Sequence, residues 1–233
     1  MKIGIISCGP GLKEVVKDYG HSSEWIPAII SHKDVEFSVV KVYNYEEVDF
    51  ESADAWIITG SKYSVYEDIA WIHCLEKFVK ELISRKKYIL GICFGHQLLA
   101  KCLGGVVKKN PKGWELGSYN ISLTNNGVKS KLFYDFLDSD IAYESHQDVV
   151  LKLPNDSLEL AYTDKGNQSF SYLERIYGVQ FHPEFSYDVT RRLMDIRLKN
   201  GVKIDNNELL QADNACNILN NFIDIVKEGV LNE

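Results

Sequence analysis

Two short runs, Ala55-Trp56-Ile57-Ile58 and Tyr88-Ile89-Leu90-Gly91-Ile92, are almost wholly apolar and flank a stretch with helical periodicity. A strand that is apolar at every position, rather than at alternate ones, is buried on both faces, as in a parallel sheet. Between the two runs, Trp71, Ile72, Leu75, Phe78, Val79, Leu82 and Ile83 recur with the spacing of one helix face. Strand, helix, strand in that order closes as a right-handed crossover, which constrains this part of the chain to a parallel α/β core. Residues 2–7 and 37–43 add two more strands, with Gly9-Pro10-Gly11 breaking the first and a helix or turn between them. A helix after residue 92 is closed by Gly104-Gly105.

The texture changes after residue 105. Short strand-like runs at 114–123, 141–143, 149–153, 158–163, 169–173 and 178–181 are split by turn signals such as Asn125-Asn126-Gly127 and Pro154-Asn155-Asp156. They predict a mixed or antiparallel region flanking the same core, and residues 188–199 and 208–226 carry two helical patterns. No linker, repeat or low-complexity stretch divides the 233 residues, so residues 1–233 are expected to form a single domain. The expected class is α/β, with a mostly parallel central sheet, flanking helices and an added antiparallel region.

Charge and cysteine usage narrow the function. A net charge of -7 argues against nonspecific nucleic-acid binding and against an anionic membrane surface. No window approaches about 18 uninterrupted apolar residues, so no membrane span is expected. The apolar run at the N-terminus is too short for a signal peptide. Five scattered cysteines without a CxxC pair suit free thiols in a reducing cytoplasm.

Gly91-Ile92-Cys93-Phe94-Gly95-His96-Gln97 links the second apolar run to a helix through a sharp turn, with cysteine at its apex. The flanking glycines remove side chains that would clash there, and the positive end of the helix favours thiolate. The segment therefore proposes a nucleophile, against the plainer reading of a buried structural cysteine. A Cys nucleophile needs a base, and the base an orienting acid. His182 ends an apolar run and is followed by Pro183-Glu184. Residues two apart on extended chain share a face, so His182 and Glu184 project together. The plainer reading is a surface His beside a Glu. An α/β-hydrolase would instead order nucleophile, acid, histidine, and Asp148 or Asp164 would fill that slot. A zinc deaminase would need P-C-x-x-C after His-x-Glu, and no HExxH or CxxC occurs, so no metal and no cofactor is expected. The N–H of Phe94, next to the nucleophile, and the Thr59-Gly60-Ser61 strand end are candidate oxyanion donors.

The elbow Gly91–Gln97 together with Phe181-His182-Pro183-Glu184 resembles the class I glutamine amidotransferases, a flavodoxin-like family. The likeness runs from Lys2 to about Phe222, and the spacing of about ninety residues between the motifs fits. Thr59–Asp68 and Gly113-Trp114-Glu115-Leu116-Gly117 resemble the free-standing, GMP-synthase-like branch, and Tyr143–Asp148 resembles the family's Ser-His-x-Asp loop. The resemblance implies hydrolysis of a γ-glutamyl amide, glutamine to glutamate and ammonia. Cys93 would form a thioester, His182 would serve as acid and base, and Glu184 would orient it. Gly60, Ser61 and Phe94 would flank the oxyanion. Gln97 with the Ser145-His146 backbone would hold the α-amino and α-carboxylate groups of the small-molecule substrate. Where the family often has Gly-Gly-Pro, this chain has Gly60-Ser61-Lys62, and Lys62 and Tyr63 are placed to shape the leaving-group side.

No GxxxxGK[ST] phosphate loop is present, and Gly9-Pro10-Gly11 lacks the third glycine of a dinucleotide fingerprint. Three outcomes stay open. Ammonia passes to a separate synthetase subunit; the chain works alone as a γ-glutamyl peptidase; or the fold persists as an inactive binding module.

Overall fold

The computed structural model describes residues 1–204 and 208–231. In chain order the strands and helices are β1 (Lys2–Ser7), α1 (Lys13–Tyr19), α2 (Ser22–Ile29), β2 (Glu36–Lys41), β3 (Ala55–Ile58), α3 (Ala70–Ser84), β4 (Tyr88–Ile92), α4 (Phe94–Cys102) and β5 (Val106–Lys109). There follow β6 (Glu115–Leu123), α5 (Asn125–Lys129), β7 (Asp140–His146), β8 (Asp148–Lys152), β9 (Leu158–Thr163), β10 (Gly166–Tyr172), β11 (Ile176–Val179), α6 (Tyr187–Lys199) and α7 (Asn217–Leu231).

The main sheet is ordered β2-β1-β3-β4-β11-β10-β9-β6-β7. From β2 to β11 every pairing is parallel, and from β11 to β7 every pairing is antiparallel. The expected α/β class with an antiparallel extension is what the chain adopts. Period two on the parallel strands divides the core into two layers. Ile57 joins Ile3, Ile5 and Leu90 beneath α2 and α7, while Trp56 and Ile58 join Ile6 and Ile89 beneath α3 and α4. Trp56 is accommodated because position 4 is glycine: a Cβ there would lie 2.3 Å from the indole ring.

Three boundaries differ from the sequence expectation. The strand expected over 37–43 ends at Lys41, and Val42–Asn44 forms a short 3-10 turn. The strand expected over 178–181 is β11, which leaves the sheet at Val179. Gln180 N–H still reaches the Gln168 carbonyl on β10 (2.8 Å), and His182 N–H then turns to the Tyr143 carbonyl on β7 (2.8 Å). The last helix starts at Asn217, not at residue 208. Residues 208–216 lie instead along β6 and β7: Leu210 N–H donates to Ser118 Oγ (3.0 Å) and Ala212 N–H to the Tyr143 hydroxyl (3.2 Å). Leu209 is buried there with Leu116, Tyr143 and Met194. The run at 149–153 also pairs outside the main sheet, as β8 against the unforeseen β5.

Candidate functional site

Neighbouring parallel strands β3, β4 and β11 each end at the same edge, and each delivers one part of the site there. This is the carboxyl edge at which open α/β sheets bind ligands. Gly60 follows β3, Cys93 follows β4 and His182 follows β11. Adjacent strands are only about 4.8 Å apart, so residues remote in sequence meet.

Cys93 stands directly before α4 with φ 51 and ψ -101. A non-glycine residue at positive φ stores roughly 1–3 kcal/mol of strain, held here because the backbone on both sides is tied down. Cys93 N–H donates to the Val179 carbonyl (2.8 Å), and its carbonyl accepts from Gln97 N–H (3.0 Å). The elbow glycines are sterically required. A Cβ on Gly91 would lie 2.4 Å from the Gly95 backbone, and one on Gly95 would lie 2.4 Å from the Ile58 carbonyl oxygen.

His182 Nδ1 and Glu184 Oε1 are 2.8 Å apart, both side chains almost fully buried. With Nδ1 so occupied, Nε2 is the ring nitrogen left for proton exchange with Cys93, whose side chain lies across Gly60 from the ring. Burial alone would disfavour the imidazolium, but the Glu184 carboxylate and the Cys93 sulfur outweigh it, raising the His182 pKa to about 10. Phe185 stacks on the imidazole at 3.8 Å between centroids and 9° between planes. Pro183 separates His182 and Glu184 as expected, and their side chains meet on one face. The competing acid, Asp148, is occupied elsewhere: its carboxylate accepts from the hydroxyls of Ser64 and Tyr66.

Gly60 borders the gap between Cys93 and His182. A methyl group on it would lie 2.9 Å from His182 Cε1 and 3.6 Å from Cys93 Cβ. The loop is pinned from behind by Thr59, whose hydroxyl accepts from Cys8 N–H (3.0 Å) and donates to the Gly60 carbonyl (3.1 Å). Phe94 opens α4, so its N–H is one of the helix's unpaired donors.

Gln97 donates both amide protons inward, to the Asp148 carbonyl (3.1 Å) and Gln180 Oε1 (2.9 Å). What it offers a ligand is therefore its carbonyl oxygen. His146 is likewise turned inward. Its Nδ1 faces the Asp148 carbonyl (2.9 Å), and its Nε2 faces Glu144 (3.0 Å) and Glu115 (3.3 Å). Both ring nitrogens face acceptors only, which is the environment of an imidazolium. Burial opposes that charge, but the two carboxylates hold the His146 pKa well above its ordinary value. Burial lifts Glu144 to about 7 despite His146, whereas the His146 charge and the Thr163 hydroxyl overcome burial and lower Glu115. With its ring turned inward, His146 lines the cleft beside Ser145, Gln147 and Asp148.

Two clefts meet at the site. One, of about 450 Å³, is lined by Cys93, Phe94, Gln97, Trp114, Ser145 and Asp148 among others. The second, of about 680 Å³, opens past His182 and Glu184 toward α1 and α2. Ser61, Lys62, Ser145 and Arg197 belong to both. Arg197 was not legible in the sequence, where it sits in an amphipathic helix like any surface cation. In the structure its guanidinium lies over the Trp114 ring, 5.0 Å from the centroid, and its buried Nε has no hydrogen-bond partner. Among the described residues no group of three or more His, Cys, Asp and Glu side chains is arranged to hold a metal ion. Nor, among them, is any helix long and apolar enough to cross a membrane.

Known proteins agree with this architecture. A glutamine amidotransferase-like protein of Schizosaccharomyces pombe is 31% identical over 210 residues, covering 83% of each chain. Gamma-glutamyl peptidase 5 of Arabidopsis thaliana is 32% identical over 173 residues, 73% of this chain and 66% of that one. A solved glutamine amidotransferase from Thermotoga maritima shares the fold with a TM-score of 0.75 and 21% identity, covering 100% of this chain and 99% of its own. The family model for class-I glutamine amidotransferase matches residues 15–195, a span that contains the Cys93 elbow and the His182-Glu184 pair alike. The chain belongs to the class I glutamine amidotransferase family.

Proposed function

We propose that the chain hydrolyses a γ-glutamyl amide through a thioester on Cys93. The observation that carries this reading is the Cys93–His182–Glu184 set, with Cys93 on a strained elbow and His182 hydrogen-bonded to a buried carboxylate. The Cys93 sulfur attacks the γ-carbonyl carbon, and the oxyanion forms beside Phe94 N–H and the Gly60-Ser61 backbone. His182 donates its proton to the departing nitrogen as the C–N bond breaks. It then takes a proton from water, which attacks the thioester and releases glutamate. Glu184 keeps the imidazolium oriented and charge-balanced throughout. The smaller cleft receives the glutamyl group, the Gln97 carbonyl suiting its α-ammonium and the Ser145-His146 backbone its α-carboxylate.

The second cleft favours a second reading. Glutamine releases only ammonia, which needs no cleft, whereas a γ-glutamyl peptide releases an amine that must be housed. A separate synthetase subunit remains the alternative receiver if ammonia is the product.

Incubation with the diazo-ketone analogue of glutamine, followed by peptide mass spectrometry, tests the shared step. The expected result is one adduct on Cys93, together with glutamate release from glutamine or a γ-glutamyl peptide that Cys93→Ser abolishes. Folded protein with neither adduct nor turnover would leave an inactive binding module.

A further inference from the structure

The two clefts differ in chemistry. The smaller one presents amide, hydroxyl and carboxylate groups from Gln97, Ser64, Ser145 and Asp148. The larger is walled mainly by Val15, Val16, Trp25, Phe185 and Leu193. Trp25 stands edge-on to Phe185, 5.9 Å between centroids, and Phe185 in turn stacks on His182. Aromatic surface thus runs without a break from the catalytic imidazole into this cleft. The indole N–H of Trp25 is committed to the Tyr19 carbonyl (2.8 Å), so its ring meets a ligand as apolar surface.

Position assigns its role. The imidazole that protonates a departing nitrogen has to face the leaving group, and His182 with Glu184 lines the larger cleft while Cys93 lines the smaller. Lys62 and Arg197 stand on the wall common to both, and Arg197 Nε is buried with no hydrogen-bond partner. Resting on the γ-glutamyl hydrolase reading above, we propose that the larger cleft is a leaving-group subsite selecting γ-glutamyl dipeptides whose second residue is bulky and apolar. The side chain of that residue packs among Val16, Trp25 and Phe185, and its carboxylate is held at Lys62 and Arg197. Attack by the Cys93 sulfur forms the tetrahedral oxyanion, and its collapse to the thioester breaks the γ-amide C–N bond. The nitrogen takes the His182 proton, and a free apolar amino acid departs before water releases glutamate.

Steady-state kinetics of the full chain on γ-glutamyl-phenylalanine, γ-glutamylglycine and glutamine tests this. The expected order of kcat/KM has the phenylalanine substrate ahead of the glycine one by roughly tenfold or more, the return from removing a benzyl group from water. Val16→Trp, which fills the cleft from its partly exposed wall, lowers the ratio of kcat/KM on γ-glutamyl-phenylalanine to that on glutamine by at least tenfold. Trp25→Ala, read by the same ratio, serves if the first variant does not fold. Equal kcat/KM on the two dipeptides, or ratios unmoved by both variants, overturns the subsite while leaving the hydrolase intact. No turnover of any of the three, with no acyl-enzyme on Cys93, overturns the hydrolase reading and the subsite with it.

Discussion

At the residue scale, Glu184 is the side chain that sets the charge of His182. Of the two groups raising that imidazole, the carboxylate acts more strongly than the Cys93 sulfur, and together they bring it from 6.5 to about 10. A histidine raised on folding stabilises the native state fully below 6.5, and the contribution is lost as pH rises through about 10. The denaturation midpoint of the native chain is therefore expected to fall across that interval. In Glu184→Gln the fall is expected to be smaller and to end at lower pH, which urea titrations at stepped pH would show. The same substitution removes the group that orients the ring, and roughly 10²–10⁴-fold of kcat is expected to go with it. Activity and stability titrating in different pH ranges in that variant would contradict the linkage.

At the scale of elements, the contact of α4 with β3 and β4 holds the elbow. Gly95 abuts the Ile58 carbonyl oxygen, and that oxygen is backbone that cannot rotate away. Gly95→Ala is expected to push α4 off the sheet, costing about 1–3 kcal/mol as other overpacked sites do. The measurement is the chemical-denaturation free energy. Activity is expected to drop further than stability, because the displaced helix carries Cys93 and Phe94 N–H with it. A change within about 0.5 kcal/mol, the usual scatter of surface substitutions, would mean that the strand and helix are not locked in this way. Elements were legible where periodicity was strong: β3, α3, β4 and α4 follow directly from apolar spacing. Apolar spacing starts the last helix nine residues too early, at 208 against 217, because Leu209 and Leu210 continue the pattern. Their partners are the strands β6 and β7, which no local pattern names.

At the scale of the whole molecule, the antiparallel half braces the 145–148 loop, which lines the same cleft as Cys93. His146 joins Glu144 on β7 to Glu115 on β6, and Glu115 accepts in turn from Thr163 on β9 (2.7 Å) and Gln168 on β10 (3.0 Å). Both carboxylates are fully buried. His146→Gln would remove the cation between them, and breaking a buried ionic group in this way typically costs about 3–5 kcal/mol. The expected result is that much loss in unfolding free energy. Crystallography of the variant would be expected to show the 145–148 loop displaced. A neutral effect on stability would mean that a carboxylate takes up a proton and compensates.

The sequence by itself determined the parallel core, the elbow and the pairing of His182 with Glu184, because these depend on short-range periodicity and on residues one or two apart. Tertiary structure alone decided that Gly60, Cys93 and His182 converge, since strand order, not chain order, sets which ends are neighbours. It alone turned His146 and the Gln97 amide protons inward, and it alone placed Arg197 and Trp25 at the walls of the clefts. Such roles depend on what lies across a gap, and the identity of a residue carries no record of its partners across space.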